Sequence, residues 1–150
     1  MSKLVNPLNL LNFSVKKTVP IVLQSEVTEC GLACIAMISS FHGHNINLLT
    51  LRQKFLVGFQ GMNLHEIMDV SSSLGMSSRA LSGEVSELKE LVLPCILHWD
   101  LDHFVVLTRV NKNSFQINDP ANGQKTLSYN EISNHFTGVA LELTPTSEFK

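Results

Sequence analysis

The sequence has little of what a nucleic-acid-binding protein needs. Its 150 residues include 11 Lys and Arg against 13 Asp and Glu, which leaves a formal net charge of −2. The basic residues are scattered along the chain, apart from the pair Lys16-Lys17. Proteins that bind nucleic acid normally carry a concentrated basic patch or stripe. The composition therefore excludes nucleic acid as an expected partner.

Cysteines are few, and long apolar runs are missing. Three cysteines do not make a disulfide framework in a chain of this length, which favours free thiols in a reducing compartment. No apolar run approaches the roughly 18 residues of a membrane span. The charged pair Lys16-Lys17 follows the first apolar segment, whereas a secretory signal has its charges in front. We expect this chain, as given, to be a soluble cytosolic protein.

The chain does have enough apolar residues for one folded domain, at 44% of the sequence. Apolar residues at helical spacing predict three helices, over residues 30–41, 48–55 and 63–74. Asn47 and Asn63 are expected to cap the second and third of these, and Gly75 to close the third. A short helix is predicted over 85–91 and another over 129–136.

The second half of the chain has short apolar or alternating runs divided by turn residues, which is typical of strands. Asn111-Lys-Asn113 predicts a hairpin turn between two of these runs. Helices that come first and strands that follow predict an α+β fold, with N-terminal helices packed on an antiparallel sheet. The predicted strands cover residues 77–81, 94–98, 104–110, 114–118, 125–127 and 139–143.

A thiol stands directly ahead of the first predicted helix. Cys30 opens that helix, and the amide side chain of Gln24 lies six positions upstream. A helix N-terminus carries partial positive charge and unpaired N–H groups, which favour a thiolate, and a thiolate is a nucleophile. Gln24 is positioned to donate to a carbonyl under attack, although an exposed loop amide is an equally simple interpretation.

Cysteine catalysis also needs a base. His103 opens the apolar run His103-Phe-Val-Val-Leu, so it is expected at the start of a rigid central strand facing the helix N-terminus. His98 follows a buried strand and is ambiguous. The remaining histidines are better explained as solvated or capping side chains, and they are His42, His44, His65 and His135.

An acid is needed to orient the base, and Asp119 ends the strand that pairs with the strand of His103. Asp119 can therefore lie beside His103, although an ordinary turn aspartate is the alternative. Asp100 and Asp102 are too near His103 in sequence, and Asp102 is expected to point to the opposite face of the sheet.

These residues resemble the peptidase family C39 domain, which stands at the N-terminus of bacteriocin- and microcin-exporting ABC transporters. The resemblance runs from about residue 20 to residue 143 and looks closest to the colicin V exporter type. Three ordered segments carry it, and these are Gln24-x4-Glu29-Cys30-Gly31-x-Ala33-Cys34, then Trp99-x3-His103-Phe-Val-Val, then Asp119-Pro120.

The resemblance implies a papain-like fold and a cysteine peptidase that removes leader peptides behind a double-glycine site before export. By position, it implies Cys30 as nucleophile, His103 as base and Asp119 as the orienting acid, with Gln24 as oxyanion donor. Glu29 stands where many members have Asp. A non-catalytic docking domain of a type I secretion exporter is the alternative function, but such relatives lack the nucleophilic cysteine that this chain keeps.

Specificity for glycine requires a narrow slot over the nucleophile. We expect Trp99 to form a wall of this slot, and a position in the hydrophobic core is nearly as favoured for it. The leader is expected to bind as an amphipathic helix in an apolar groove. The groove candidates have a spacing that fits plain core equally well, and they are Phe59, Met62, Leu64 and Met68.

A zinc site drawn from Cys30, Cys34, His42 and His44 is a rival interpretation. Structural zinc usually takes Cys-x2-Cys, and two cysteines four apart on a helix match it poorly. We therefore predict no metal, and no cofactor for peptide cleavage.

The expected organisation is an N-terminal arm over 1–19, a peptidase domain over 20–144, and the start of a linker over 145–150. The resemblance implies that the linker leads to transmembrane and ATPase domains, with ATP bound at a separate domain. It also implies a homodimeric exporter with this domain on the cytoplasmic side of the inner membrane. The isolated domain is expected to be a monomer, and its partner is the double-glycine precursor peptide.

Overall fold

A computed structural model describes residues 18–58 and 60–149 of the chain. Most of the predicted arm, residues 1–17, lies outside the described residues, and so does Phe59. The three predicted N-terminal helices are present as α1, Cys30–Phe41, α2, Leu48–Lys54, and α3, Leu64–Ser73. Within the described part of the chain, no helix combines the length and hydropathy that crossing a membrane requires.

Both predicted asparagine caps are observed. The Asn47 side chain accepts a hydrogen bond from the backbone N–H of Thr50 at 2.8 Å, and Asn63 accepts one from Glu66 at 2.8 Å. These bonds satisfy N–H groups that have no partner within the helix. Gly75 follows α3 with φ of +86°, the left-handed conformation that glycine adopts most readily.

All six strands of the described chain form one antiparallel sheet. The strand order is β1-β6-β2-β3-β4-β5, so the last strand inserts between β1 and β2. Helices packed on an antiparallel sheet confirm the predicted α+β class. The strands are β1, Met76–Ser82, β2, Cys95–Trp99, β3, His103–Val110, β4, Ser114–Asp119, β5, Gly123–Ser128, and β6, Phe136–Pro145.

Alternate residues of the central strands pack into two separate hydrophobic cores, one on each face of the sheet. On β3, Phe104 and Val106 join the helical core with α1, whereas Val105 and Leu107 face the other side of the sheet. That second side is covered by a 3-10 helix, Val85–Glu90, and by α4, Tyr129–Ser133. Helix α1 is therefore enclosed between the sheet and the other helices, which explains why its first ten residues are all buried.

The predicted helix over residues 129–136 is wrong in its second half. Helix α4 ends at Ser133, and Phe136 begins β6, where it pairs with Trp99 of β2. Helical periodicity across 129–136 was a local signal, and the long-range pairing of β6 overrides it.

Residues 146–149 pack against the end of α3. The Thr146 backbone N–H donates to the carbonyl of Gly75 at 2.9 Å, and the ring of Phe149 lies 5.7 Å from that of His44. The boundary proposed at residue 144 between domain and linker remains a prediction.

Candidate active site

Cys30 lies at the first position of α1, immediately after a 3-10 turn, Val27–Glu29. Its residue surface is 5% exposed. At this position the residue lies at the positive end of the helix macrodipole, as the sequence predicted. Cys34 lies one turn further along the same helix and is completely buried, and Cys95 is completely buried in β2.

His103 and Asp119 are brought together by neighbouring strands. His103 begins β3 and Asp119 ends β4, and the two strands form a hairpin through the predicted turn at 111–113. His103 Nε2 lies 2.7 Å from Asp119 Oδ1. Asp119 is 3% exposed, so its side of this contact is buried.

Asp119 is held by several donors besides His103. Its Oδ1 accepts the backbone N–H of Ala121 at 2.9 Å, and its Oδ2 accepts the Asn122 side chain at 3.2 Å. Lys125 Nζ lies 3.6 Å from Oδ2. Burial acts to raise the pKa of Asp119, but the hydrogen bonds from His103, Ala121 and Asn122 and the His103 charge lower it well below its ordinary value. Asp119 is therefore ionised at neutral pH.

The Cys30 side chain is the second group that acts on the pKa of His103. Since Nε2 faces Asp119, Nδ1 is the ring nitrogen available to the sulfur. Burial acts to lower the pKa of His103, but the hydrogen bonds with Asp119 and Cys30 and their charges outweigh it and raise the pKa to about 9. The ring is consequently protonated at neutral pH, which suits a thiolate–imidazolium pair.

Gln24 is held beside this pair by the chain that follows Asp119. Its backbone N–H donates to the carbonyl of Pro120 at 2.9 Å. Its side chain lines the same cleft as His103, and its Oε1 is buried without a hydrogen-bond partner among the described residues. The amide is therefore part of the cleft wall, and the exposed-loop interpretation does not hold.

Trp99 is both buried and part of the cleft wall. The residue is 5% exposed, and its indole stacks on the ring of His135 at 5.1 Å with 7° between the planes. The cleft has a volume of about 480 Å³ and is also lined by His103 and Asp119. The two interpretations offered by the sequence, slot wall and core, are thus compatible.

The predicted groove residues separate into two groups. Met62 and Leu64 line a second cleft of about 430 Å³, which shares Asp102 with the first one. Met68 packs against the helical core instead and is absent from that lining. Phe59 lies outside the described residues.

Asp102 lies in the turn between β2 and β3 and lines both clefts. The same turn contains Asp100 and Leu101 with φ of +56° and +85°, strained for residues with a side chain. Asp100 Oδ1 lies 2.7 Å from His135 Nδ1. Sequence reasoning missed this second His–Asp pair, since its members are 35 residues apart and no motif joins them.

The rival zinc ligands are too far apart. Cys30 begins α1 and His42 follows its end, which separates them by about 18 Å at 1.5 Å per residue. Among the residues that the structure describes, no group of three or more His, Cys, Asp and Glu is arranged to hold a metal ion.

In this site a thiol at a helix N-terminus faces a histidine–aspartate pair on the adjoining sheet. This is the arrangement of papain-like cysteine peptidases. The chain belongs to the Peptidase C39 family, whose model matches residues 18–148.

Two relatives from Escherichia coli are each 49% identical to this chain. One is a probable microcin-H47 secretion/processing ATP-binding protein, matched over 142 residues, and the other is the colicin V secretion/processing ATP-binding protein, matched over 143. Each match covers 95% of this chain but 20% of the relative, so the chain spans about a fifth of the length of these proteins.

Solved structures share the fold. A double glycine motif protease from an AMS/PCAT transporter, crystallised with the leader peptide, is 32% identical with a TM-score of 0.81, covering 87% of this chain and 94% of that one. The peptidase domain of Streptococcus ComA has a TM-score of 0.78 at 24% identity, over 85% of this chain and 99% of that one. The predicted fold and family are therefore confirmed.

Proposed function

We propose that this cysteine peptidase removes double-glycine-type leader peptides from bacteriocin or microcin precursors. The observation that carries the proposal is the 2.7 Å contact of His103 with Asp119, with Cys30 at the start of α1 close enough to act on the pKa of the same ring. The leader peptide bound to the related double glycine motif protease supports the substrate class. The secretion/processing names of the two Escherichia coli relatives support the precursor class.

In the proposed mechanism, the Cys30 thiolate attacks the carbonyl carbon of the second small residue, and the carbonyl electron pair moves onto its oxygen. The side chain of Gln24 and the backbone N–H of Cys30 donate to this oxyanion. His103 then gives its proton to the leaving amine as the C–N bond breaks, which leaves a thioester on Cys30.

The second half of the reaction returns the enzyme to its starting state. His103, now neutral, takes a proton from water while the water oxygen attacks the thioester carbon. The thiolate leaves, and the leader is released with a free carboxylate. Asp119 keeps the imidazole oriented and stabilises its positive charge through both steps.

Trp99 is proposed to restrict the cleft to small residues beside the scissile bond, because its indole is fixed against His135 and cannot withdraw. Met62 and Leu64 are proposed to contact apolar side chains of the leader in the second cleft. The shared residues Gln60 and Asp102 make the two clefts neighbours, so one extended peptide can occupy both.

We propose further that the chain works as the peptidase part of an exporter at the cytoplasmic face of the membrane. The relatives' names combine secretion, processing and ATP binding, and this chain covers 20% of their length. Transmembrane and ATPase domains, ATP at the latter, and a homodimeric assembly belong to this proposal.

The test uses a synthetic leader peptide with a Gly-Gly site and product identification by mass spectrometry. The wild-type chain is expected to cleave after the second glycine, and Cys30→Ala to lose at least about 10⁴-fold in rate, as for other nucleophile removals. Cys34→Ala is the matched control, since Cys34 lies one turn along the same helix.

Three results would contradict the proposal in different ways. Wild-type turnover in Cys30→Ala would remove Cys30 from the nucleophile role. Equal cleavage of a peptide with Val-Val at the site would remove the double-glycine specificity. Binding of the leader without cleavage by the wild-type chain would favour the docking module.

A further inference from the structure

The carboxylate of Glu29 is a buried group that the proposed mechanism does not use. The residue directly precedes Cys30 and is 3% exposed. Its Oε1 accepts the backbone N–H groups of Ser25 at 2.9 Å and Glu26 at 3.0 Å. A carboxylate buried this completely must be paired and hydrogen-bonded to remain charged.

Arg52 of α2 supplies the pairing charge. Its Nη2 lies 3.1 Å from Glu29 Oε1, and its Nε donates to Oε2, so the contact is bidentate. The hydrogen bond with Arg52, together with those from Glu26 and Ser25, outweighs burial and lowers the pKa of Glu29. Arg52 itself has a side chain that is 41% exposed, so it reaches the carboxylate from the surface.

The carboxylate of Glu29 is hydrogen-bonded close to both proposed oxyanion donors, the Gln24 amide and the Cys30 N–H. Ser25 follows Gln24, whose own backbone N–H is held by the carbonyl of Pro120. Gln24 is therefore fixed from both sides along the chain. The other oxyanion donor, the N–H of Cys30, belongs to the residue that follows Glu29. One carboxylate thus joins the two segments that carry the donors.

We propose that Glu29 and Arg52 are positioning residues that set the separation between the Gln24 amide and the Cys30 N–H. This inference rests on the proposed function, because it concerns the oxyanion formed during peptide cleavage. Neither residue lines the cleft. Their effect on catalysis is consequently exerted through Gln24 and Cys30, whose displacement by 1 Å can cost about 10²-fold in rate.

The position of an oxyanion donor matters for some reactions of Cys30 and not for others. Cleavage of a peptide forms a tetrahedral oxyanion. A peptide aldehyde ending in Gly-Gly also forms one, as the sulfur adds to the aldehyde carbon and the carbonyl electrons move onto oxygen. Alkylation by iodoacetamide displaces iodide at a saturated carbon and forms no oxyanion. Comparing the three reactions therefore separates donor placement from general damage.

The test compares Arg52→Ala with Lys54→Ala, a control at an exposed basic residue of the same helix. Arg52→Ala is expected to lower kcat between about ten- and a hundredfold with KM changed less than about threefold. Affinity for the aldehyde should fall by the same factor as kcat, while the alkylation rate of Cys30 stays within about twofold. Arg52→Lys keeps the charge without the planar fork, so it should recover part of the loss.

A double variant decides whether the effect passes through Gln24. On a Gln24→Ala background, Arg52→Ala is expected to add less than about threefold to the loss, because the donor it positions is already gone. The proposal would be overturned if the kcat losses of Gln24→Ala and Arg52→Ala multiplied in the double variant. It would also be overturned if Arg52→Ala slowed the alkylation of Cys30 as much as cleavage, or if Arg52→Ala had the same kcat as Lys54→Ala. Failure of the proposed function itself is recognised separately, by a Cys30→Ala variant that still cleaves.

Discussion

At the residue scale, the two ring nitrogens of His103 face two different partners. Nε2 is taken by Asp119 at 2.7 Å, which leaves Nδ1 toward Cys30. The Asp119 contact fixes the ring, because rotation about χ2 would break it. A base with a fixed ring holds its proton within reach of both the sulfur and the leaving amine.

The role proposed for Gln24 gives a rate prediction. Gln24→Ala removes one of two oxyanion donors, and such a loss typically lowers kcat by about 10²–10³. We expect the decrease in kcat with little change in KM, measured by steady-state cleavage of the Gly-Gly peptide. Gln53→Ala, at an exposed amide of α2 that lines neither cleft, is the control and should stay near wild type. A loss below about tenfold in Gln24→Ala would assign the residue to structure.

The raised pKa of His103 gives a pH prediction. Since protonated His103 is the form that the first step uses, kcat/KM should fall as pH rises through about 9. Asp119→Asn removes a negative charge that raises this pKa and leaves only a neutral acceptor for the imidazole, so the alkaline limb should move to lower pH. The measurement is the pH profile of kcat/KM for both proteins.

The control for that profile is Asp100→Asn, which breaks the other His–Asp pair at the same cleft. Asp100→Asn should leave the alkaline limb of the kcat/KM profile unchanged. An alkaline limb that is also unchanged in Asp119→Asn would refute its assignment to His103. The raised pKa of His103 also sets how the stability of the folded protein depends on pH. A pKa raised from 6.5 to about 9 means that His103 stabilises the folded protein fully below pH 6.5, and this contribution is lost as pH rises through 9.

Individual residues show what sequence could and could not supply at the site. The positions of Cys30, His103 and Asp119 at the ends of elements follow from local periodicity, whereas the roles proposed for them depend on the family resemblance as well. The Glu29–Arg52 pair was not predictable, since it joins residues 23 apart on separate helices.

At the element scale, glycines at the ends of two helices differ in what surrounds them. Gly43 follows α1 with φ of +105° and has open space where a Cβ would be. Gly75 follows α3 with φ of +86°, and its Cβ would lie 2.6 Å from the carbonyl oxygen of Glu148. The chain after β6 therefore approaches α3 as closely as a glycine allows.

These two glycines form a matched pair for a stability prediction. Alanine in a left-handed conformation costs about 1–2 kcal/mol at either position. The overlap at Gly75 adds about 1–3 kcal/mol, as overpacking commonly does. The free energy of unfolding, measured by urea titration, should therefore drop more for Gly75→Ala than for Gly43→Ala. Equal losses would show that residues 146–149 do not pack there.

Elements differ in how far local sequence determined them. The bounds of α1 were predicted closely, because its apolar spacing and its following glycine are both local. The end of α4 was not, because β6 extends from Phe136 by pairing with strands more than 30 residues away. Local patterns therefore determine where a helix starts, and partners remote in sequence decide where a strand does.

At the scale of the whole molecule, the sheet separates two cores that have different relations to the site. The helical core contains Cys30 itself, together with Ile67 of α3. The other core, which contains Ile132 of α4, lies on the opposite face of the sheet. The insertion of β6 between β1 and β2 joins the two halves of the sheet, and no local feature of the sequence indicates that strand order.

The last prediction separates stability from catalysis with one residue from each core. Ile67 and Ile132 are both completely buried, so Ile67→Ala and Ile132→Ala should each cost about 2–5 kcal/mol of unfolding free energy. Ile67 lies against Gly31, where an added Cβ would be 3.1 Å from Ile67 Cδ1, so its truncation loosens the turn that carries the nucleophile. A displacement of a few tenths of an ångström there should lower kcat a few-fold, given the roughly 10²-fold cost of 1 Å.

Ile132→Ala should lower kcat less than Ile67→Ala does. The sheet lies between Ile132 and the helix that carries Cys30, and Ile132 reaches the cleft only through Trp99 and His135. Both variants are compared at a urea concentration of zero, with kcat normalised to the folded fraction found by circular dichroism. Equal decreases in kcat for the two variants would mean that the sheet transmits packing defects to the site. Rigidity of the sheet would then be as necessary for peptide cleavage as the contacts made by Cys30.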